Sequence, residues 1–177
     1  MIRKTVTVLF CDVTGSTSLG ERIDPETLRS VMLQYFDEMR AAIERHGGTV
    51  EKFIGDAVMA VFGVPVVHED DALRAVRAAD EMRGALTRLN KDLDARYGVR
   101  LEMRIGINTG EVVVGDPTAQ HLIATGDAVN VAARLQQAAQ PGEILLGRET
   151  HRLVSDRVRA GPLETFPLRG KSETVPT

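Results

Sequence analysis

The stretch RKTVTVLFCD at residues 3–12 is an alternating run that ends in a carboxylate. Threonine, valine and aromatic side chains favour the pleated, half-buried surface of a sheet, so the run predicts a β-strand. Val6, Val8, Phe10 and Asp12 share one face of that strand because side chains in a strand alternate with a period of two. The chain therefore begins with a strand whose apolar face ends in an acid.

Three amphipathic helices are predicted after this strand. Asp24 and Pro25 are a helix-start pair, an N-cap followed by proline at the first helical position. Apolar residues then recur at spacings of three and four over 25–46, and they do so again over 69–97. A shorter helix is predicted over 127–139, where Pro141-Gly142 follows.

The β-rich runs between the helices predict a mainly antiparallel sheet. Two of them flank Gly55-Asp56 and predict a hairpin. With the helices interspersed, the order is typical of an α+β fold in which helices pack on one face of the sheet. The runs are 49–54 and 57–62, a pair at 101–107 and 111–115 around Asn108-Thr109-Gly110, and shorter ones at 121–125, 143–146 and 157–169, with a helical turn at 148–154.

The composition limits the classes of function. The 177 residues are 43% hydrophobic and 27% charged with a net charge of −3, which indicates one globular domain over 1–177 and argues against a nucleic-acid partner. The single cysteine, Cys11, excludes an internal disulfide and a cysteine-based zinc site, and it favours a reducing, cytoplasmic location. No apolar run reaches the roughly 18 residues that a membrane span needs.

Two aspartates at strand ends are the first candidates for chemistry. Asp12 ends the first strand and Asp56 sits at the hairpin tip. Carboxylates with no histidine pair nearby suit a hard divalent cation, which also binds substrate phosphates. The turn Thr14-Gly15-Ser16-Thr17 offers backbone amides to phosphate oxygens. The ordinary alternative is that both aspartates only cap turns.

Three further polar side chains are candidates for contact with a substrate. Asn130 and Arg134 are four residues apart and so share a face of the 127–139 helix, where they could stabilise charge on a phosphoryl group. Lys52 lies on the strand before the hairpin. The ordinary alternatives are an exposed polar helix face and a solvated lysine. The four histidines, His46, His68, His121 and His151, have no metal-ligand spacing.

Four motifs in order resemble the catalytic domain of class III nucleotidyl cyclases. They are FCDVTGST at 10–17, VEKFIGDAVMAVFG at 50–63, MRIGINTGEVVVG at 103–115 and TGDAVNVAARL at 125–135. The last motif is most similar to bacterial domains of the soluble adenylyl cyclase type. The resemblance implies a ferredoxin-like cyclase homology fold and an adenylate cyclase that converts ATP to 3′,5′-cyclic AMP and pyrophosphate.

The resemblance also implies roles for individual residues. Asp12, Asp56 and the backbone carbonyl of Val13 match the family's ligands for two Mg²⁺ or Mn²⁺ ions. Lys52 matches the lysine that reads adenine, and Asn130 and Arg134 match the transition-state pair.

The resemblance covers two further substrate-contacting positions, and one of them departs from the family pattern. Arg169 or Lys171 matches the late basic residue that contacts the triphosphate. Ile123 departs from the family pattern, because adenylyl cyclases usually carry Asp or Thr there and isoleucine cannot accept the adenine amino proton.

The family builds its active site from two chains, so the resemblance implies a homodimer with shared sites. The two aspartates then come from one subunit, and Lys52, Asn130 and Arg134 from the other. The chain ends at SETVPT, where the family usually continues, which favours a domain taken from the N-terminal part of a multidomain protein with regulatory domains. The alternatives are a guanylate or relaxed-purine cyclase and an inactive nucleotide-binding regulatory domain.

Overall fold

The computed structural model describes residues 2–115, 124–157, 165–167 and 174–176. Its helices and strands follow the predicted order closely, with one additional short helix after the first strand. The elements are β1 (Ile2–Thr14), α1 (Ser16–Arg22), α2 (Pro25–Arg45), β2 (Gly48–Ile54), β3 (Ala57–Phe62), α3 (Asp71–Tyr97), β4 (Glu102–Val114), β5 (Ala124–Thr125), α4 (Asp127–Ala138), β6 (Ile144–Leu146), α5 (Arg148–Val154), β7 (Thr165–Pro167) and β8 (Thr174–Pro176).

The main sheet has the order β2-β3-β1-β4-β5, and all of these neighbours are antiparallel. β6 adds a parallel pairing to β4, and β7 and β8 form a separate two-stranded sheet. The prediction of an α+β fold with a mainly antiparallel sheet is confirmed. Over the part of the chain that is described, no helix is both long enough and apolar enough to cross a membrane.

Helices cover both faces of the sheet, so the prediction of helices on one face is wrong. Leu9, Cys11 and Val13 of β1 belong to the large core under α2 and α3. Val6 and Phe10, from the alternate positions of β1, belong to a second core under α4. β1 is apolar on both faces in its central part, and burial of both faces requires a cover on each side.

β4 is one continuous strand of 13 residues, which corrects the predicted strand pair around residues 108–110. Asn108 and Thr109 are buried, and each has a specific partner: Asn108 donates to the carbonyl of Ala128, and Thr109 shares a hydrogen bond with Thr7. Gly110 lies against Ala128 of α4. These long-range contacts satisfy residues that would otherwise favour a turn.

The remaining differences are at element ends. The predicted turn Thr14-Gly15-Ser16-Thr17 is a turn only as far as Gly15, because α1 begins at Ser16. α3 begins at Asp71 rather than at residue 69. In the stretch predicted as a strand over 121–125, the described residues 124–125 are a strand. In the stretch predicted over 157–169, Arg157 is in a turn, which corrects the start of that strand, and 165–167 are a strand.

Gly106 of β4 packs directly against the backbone of α4. A Cβ added there would lie 2.3 Å from the backbone nitrogen of Gln136 and 2.5 Å from the carbonyl oxygen of Ala132. Both atoms belong to the backbone of α4, so neither can rotate away. Only glycine allows this approach of helix to strand.

Gly106→Ala should lower the free energy of unfolding by about 1–3 kcal/mol or more, because α4 must shift to admit the methyl group. Gly84→Ala is the matched control: Gly84 lies inside α3, and the nearest atom to an added Cβ is on the flexible side chain of Arg88 at 3.6 Å. That control should raise stability by roughly 0.5–1 kcal/mol. Urea unfolding of both variants measures the difference, and equal effects would contradict the close contact.

Candidate active site

Asp12 lies near the end of β1, between the strands that flank it. In the register of the sheet its Cα partners are Ala57 of β3 on one side and Arg104 of β4 on the other. Ala57 directly follows Asp56 in the chain. The fold thus brings the two predicted aspartates to the same end of neighbouring strands.

The guanidinium of Arg104 forms a bidentate, fork-like pair of hydrogen bonds with the carboxylate of Asp12. Its Nε donates to Oδ1 at 3.1 Å and its Nη2 donates to Oδ2 at 2.7 Å. Its Nη1 donates to the backbone carbonyl of Gln137 near the end of α4, at 3.2 Å. The hydrogen bonds to Asp12 raise the pKa of Arg104, and partial burial opposes this. The side chains remain 21% (Asp12) and 26% (Arg104) exposed, so the pair is reached by water.

Asp56 is exposed at the β2–β3 hairpin tip. Burial, Cys11, Asp12 and then Asp56 raise the pKa of Tyr35, so both carboxylates act on one hydroxyl of α2. Tyr35 lies 3.5 Å from the sulfur of Cys11 beneath β1. Burial raises the pKa of the Cys11 thiol to about 12, as expected for a packed side chain rather than a nucleophile.

A β-bulge in β2 determines where Lys52 lies. Val50 is opposite Ala60, but the next pair is Lys52 with Met59, so Glu51 is an extra residue in its strand. Val50 packs against the core under α2. In a regular strand the side chain of Lys52 would point to that same face, because residues two apart share a face. Because of the bulge, Lys52 shares the face of Met59 instead, which is also the face of Asp12.

Asn130 and Arg134 lie on α4, which packs on this same face of the sheet. Asn130 is exposed and Arg134 is half-buried. The Nη1 atom of Arg134 is buried and has no hydrogen-bond partner among the residues that the structure describes. A buried guanidinium N–H without an acceptor is costly, so this atom favours an anionic partner from outside the chain.

The other predicted site residues divide into two groups. Gly15, with φ of 95°, makes the turn into α1, and Thr14 donates to the carbonyl of Glu102 at 3.3 Å. The amides that follow are in the first turn of a helix, where they lack intrahelical partners. Thr17 is exposed, and the side chain of Val13 is buried. The second group, Ile123, Arg169 and Lys171, lies outside the described residues.

The family model described as the adenylate and guanylate cyclase catalytic domain matches residues 2–176. The chain belongs to the class III nucleotidyl cyclases. This result confirms the resemblance seen in the sequence. Asp12, Lys52 and α4 lie on one face of the sheet, with Asp56 at the adjacent hairpin tip, and this arrangement agrees with it.

Solved and curated cyclases give the same family. The structure of the adenylyl cyclase CyaB from P. aeruginosa has a TM-score of 0.90 and 35% identity, over 99% of this chain and 92% of that one. The guanylyl cyclase Cya2 has a TM-score of 0.89 and 36% identity, over 99% and 90%. Adenylate cyclase 1 of Rhizobium meliloti is 31% identical over 178 residues, which are 98% of this chain and 27% of that protein. The chain therefore spans about a quarter of that relative.

The cyclase domain's donor set fits a divalent cation at Asp12 and Asp56. Both groups are carboxylates, which are the hard oxygen ligands that Mg²⁺ and Mn²⁺ prefer. Within residues 2–115, 124–157 and the two short strands, no three His, Cys, Asp or Glu side chains group together as a metal site. Two carboxylates leave room for backbone and substrate oxygens, which is the usual arrangement for Mg²⁺.

Two features of the candidate site, the contact of Arg104 with Asp12 and the bulge at Glu51, were not predicted from the sequence. Arg104 was not singled out, because its contact with Asp12 depends on the register between strands that are 92 residues apart. A signal was present: Met103, Ile105 and Ile107 alternate as buried residues, so Arg104 must occupy the other face. The bulge at Glu51 leaves no comparable signal in the sequence.

Proposed function

We propose that this domain is an adenylate cyclase, which converts ATP to 3′,5′-cyclic AMP and pyrophosphate with two Mg²⁺ or Mn²⁺ ions per site. The observation that carries the proposal is the register of Asp12 with Ala57, which puts the carboxylates of Asp12 and Asp56 at neighbouring strand ends. The carbonyl of Val13 is the third proposed ligand. When bound, such ions supply Lewis acidity that favours ionisation of the ribose 3′-hydroxyl.

The chain's own residues bind and orient the nucleotide in this proposal. Arg134 hydrogen-bonds the α-phosphoryl oxygens, where negative charge develops, and its buried Nη1 atom supports this role. Asn130, four residues earlier on α4, orients the ribose. The amides and hydroxyls of Thr14, Gly15, Ser16 and Thr17 contact the phosphates, and Arg169 or Lys171 contacts the end of the triphosphate.

The proposed site is shared between two copies of the chain. One subunit supplies Asp12 and Asp56, and the other supplies Lys52, Asn130 and Arg134. Exposed side chains at the β2–β3 hairpin support contact with a second copy of the chain there. Lys52 is exposed, and Ile54 is 52% exposed although it is apolar. We further propose that 1–177 is one catalytic domain, that it acts within a longer cytoplasmic protein, and that this protein carries regulatory domains.

Base selectivity rests on Lys52. A lysine donates a hydrogen bond to N1 of adenine, whereas guanine carries a proton at that position. The overall similarity favours neither base, since an adenylyl and a guanylyl cyclase are 35% and 36% identical to this chain. An isoleucine side chain, which the sequence has at position 123, carries no polar group to read adenine. The domain should therefore prefer ATP only modestly, and guanylate cyclase activity is the second candidate.

Analysis of the cyclic nucleotides formed from ATP and from GTP, with Mg²⁺ and with Mn²⁺, tests the function and the base preference together. The wild-type domain should form more cyclic AMP than cyclic GMP. Lys52→Glu should lower turnover of ATP more than turnover of GTP, because a carboxylate repels N1 of adenine and accepts from N1–H of guanine.

Lys91→Glu, a change of the same charge on α3, is the matched control and should leave the ratio of the two activities unchanged. If Lys52→Glu also keeps the wild-type ratio, Lys52 does not read the base. Absence of both cyclic products from the wild-type domain would favour the inactive nucleotide-binding alternative.

A further inference from the structure

Arg104 and a divalent cation would need the same atoms of Asp12. Both carboxylate oxygens of Asp12 accept a hydrogen bond from Arg104, at 3.1 Å and 2.7 Å. The guanidinium fork uses one acceptor site on each oxygen, so a cation has to displace one of these bonds or bind through the less favourable sites that remain. A cation bound to Asp12 would also lie close to the positive guanidinium of Arg104, and the two charges would repel each other.

The pair of Arg104 and Asp12 is held both by the backbone of the sheet and by a third hydrogen bond of the guanidinium. This distinguishes it from a chance pair of surface charges. Arg104 and Asp12 are direct partners in the β1–β4 ladder, so the backbone sets their approach. The third nitrogen, Nη1, donates to the carbonyl of Gln137. A bidentate contact with a third anchor loses less side-chain freedom on forming than a single lysine contact does.

From this geometry we infer that Arg104 is a positioning residue of the metal site. Its guanidinium holds the carboxylate of Asp12 until a divalent cation displaces the guanidinium from that carboxylate. The inference rests on the proposed function, because it takes Asp12 and Asp56 as the cation ligands. It also links the cation site to the helix that is proposed to bind the nucleotide. The guanidinium that releases Asp12 is hydrogen-bonded to the end of α4, and α4 carries Asn130 and Arg134. Arg104 thereby lowers the affinity of the free domain for cations.

Binding of Mn²⁺ alone, without nucleotide, tests the inference by electron paramagnetic resonance. Arg104→Gln removes the competitor and should tighten Mn²⁺ binding about fivefold to tenfold. Arg104→Lys keeps the charge but cannot form the fork, so it should tighten binding about twofold to threefold. Arg100→Gln removes an exposed positive charge just before β4 and should change the affinity by less than about twofold.

A second measurement uses the intact wild-type side chain. Titration of ¹⁵N-labelled protein with Mg²⁺ should shift the Nε–H resonance of Arg104, assigned by its loss in Arg104→Lys. The same titration of Asp56→Ala should leave that resonance in place. Only the assignment uses a variant; the titration itself follows the wild-type side chain, and through-bond correlations along the Arg104 side chain give the assignment if Arg104→Lys does not fold.

The outcomes separate the inference from the proposed function. Unchanged or weaker Mn²⁺ binding by both Arg104 variants, or an Nε–H resonance that ignores Mg²⁺, would overturn the inference and leave the cyclase proposal standing. Mn²⁺ binding that is insensitive to Asp56→Ala would show that the cation does not bind at the two aspartates, and it would overturn both.

Discussion

Asp56→Ala should retain less than about a tenth of wild-type turnover, even at saturating Mn²⁺, because one of the two carboxylates proposed to hold the cations is lost. The fold should survive, since Asp56 is exposed at a hairpin tip and exposed substitutions usually change stability by less than about 0.5 kcal/mol. Activity and the thermal unfolding midpoint are measured on the same preparation.

Asp80→Ala is the matched control for this loss of charge. Asp80 is on α3, its side chain is 75% exposed, and its partner is the neighbouring Arg83. We expect near wild-type turnover from this variant, because an exposed ion pair contributes little. Retention of more than about a tenth of the activity by folded Asp56→Ala would contradict its assignment as a ligand of catalytic metal ions.

The second large effect is recovery of activity in mixed dimers. Asp56→Ala and Arg134→Ala should each be nearly inactive, because every site of each homodimer lacks one member. After co-expression in equal amounts, half of the dimers should be mixed, and each of these has one intact site and one site with both lesions. Turnover should recover to about a quarter of wild type, as a two-fold symmetric interface requires.

Asn130→Ala with Arg134→Ala is the control for this experiment. Both substitutions fall on α4, so every site in a mixed dimer of these two variants still carries a lesion. No recovery is expected from this pair. If the pair of Asp56→Ala and Arg134→Ala also fails to recover after co-expression, the shared site is wrong, although the domain could still be a cyclase.

Local patterns were sufficient for the parts of this fold that depend on neighbours in sequence. Asp24 caps α2 as expected, since its side chain accepts from the backbone nitrogen of Thr27 at 2.8 Å. The hairpin around Gly55 and the apolar face of β1 that ends at Asp12 are also as predicted. Each of these features is set by propensity, capping or side-chain alternation over a few residues.

Features that depend on distant partners could not be predicted in this way. Asn108 and Thr109 favour a turn by themselves, yet their bonds to Ala128 and Thr7 hold them in an unbroken strand. The fork of Arg104 on Asp12 requires the β1–β4 register, and periodicity alone does not supply it. Tertiary contacts override local preference at these positions, and the contact between Arg104 and Asp12 lies in the candidate active site.

The contact of α4 with Gly106 has a consequence for motion. With its backbone against β4, the helix cannot slide over the sheet, and β4 is paired with β1 along its whole length. Asp12 and Arg134 of one chain should therefore move as a single rigid body. In the proposed dimer these residues serve different sites, so opening and closing must come from rotation of one subunit against the other, and nucleotide capture at one site should alter the geometry of its twin.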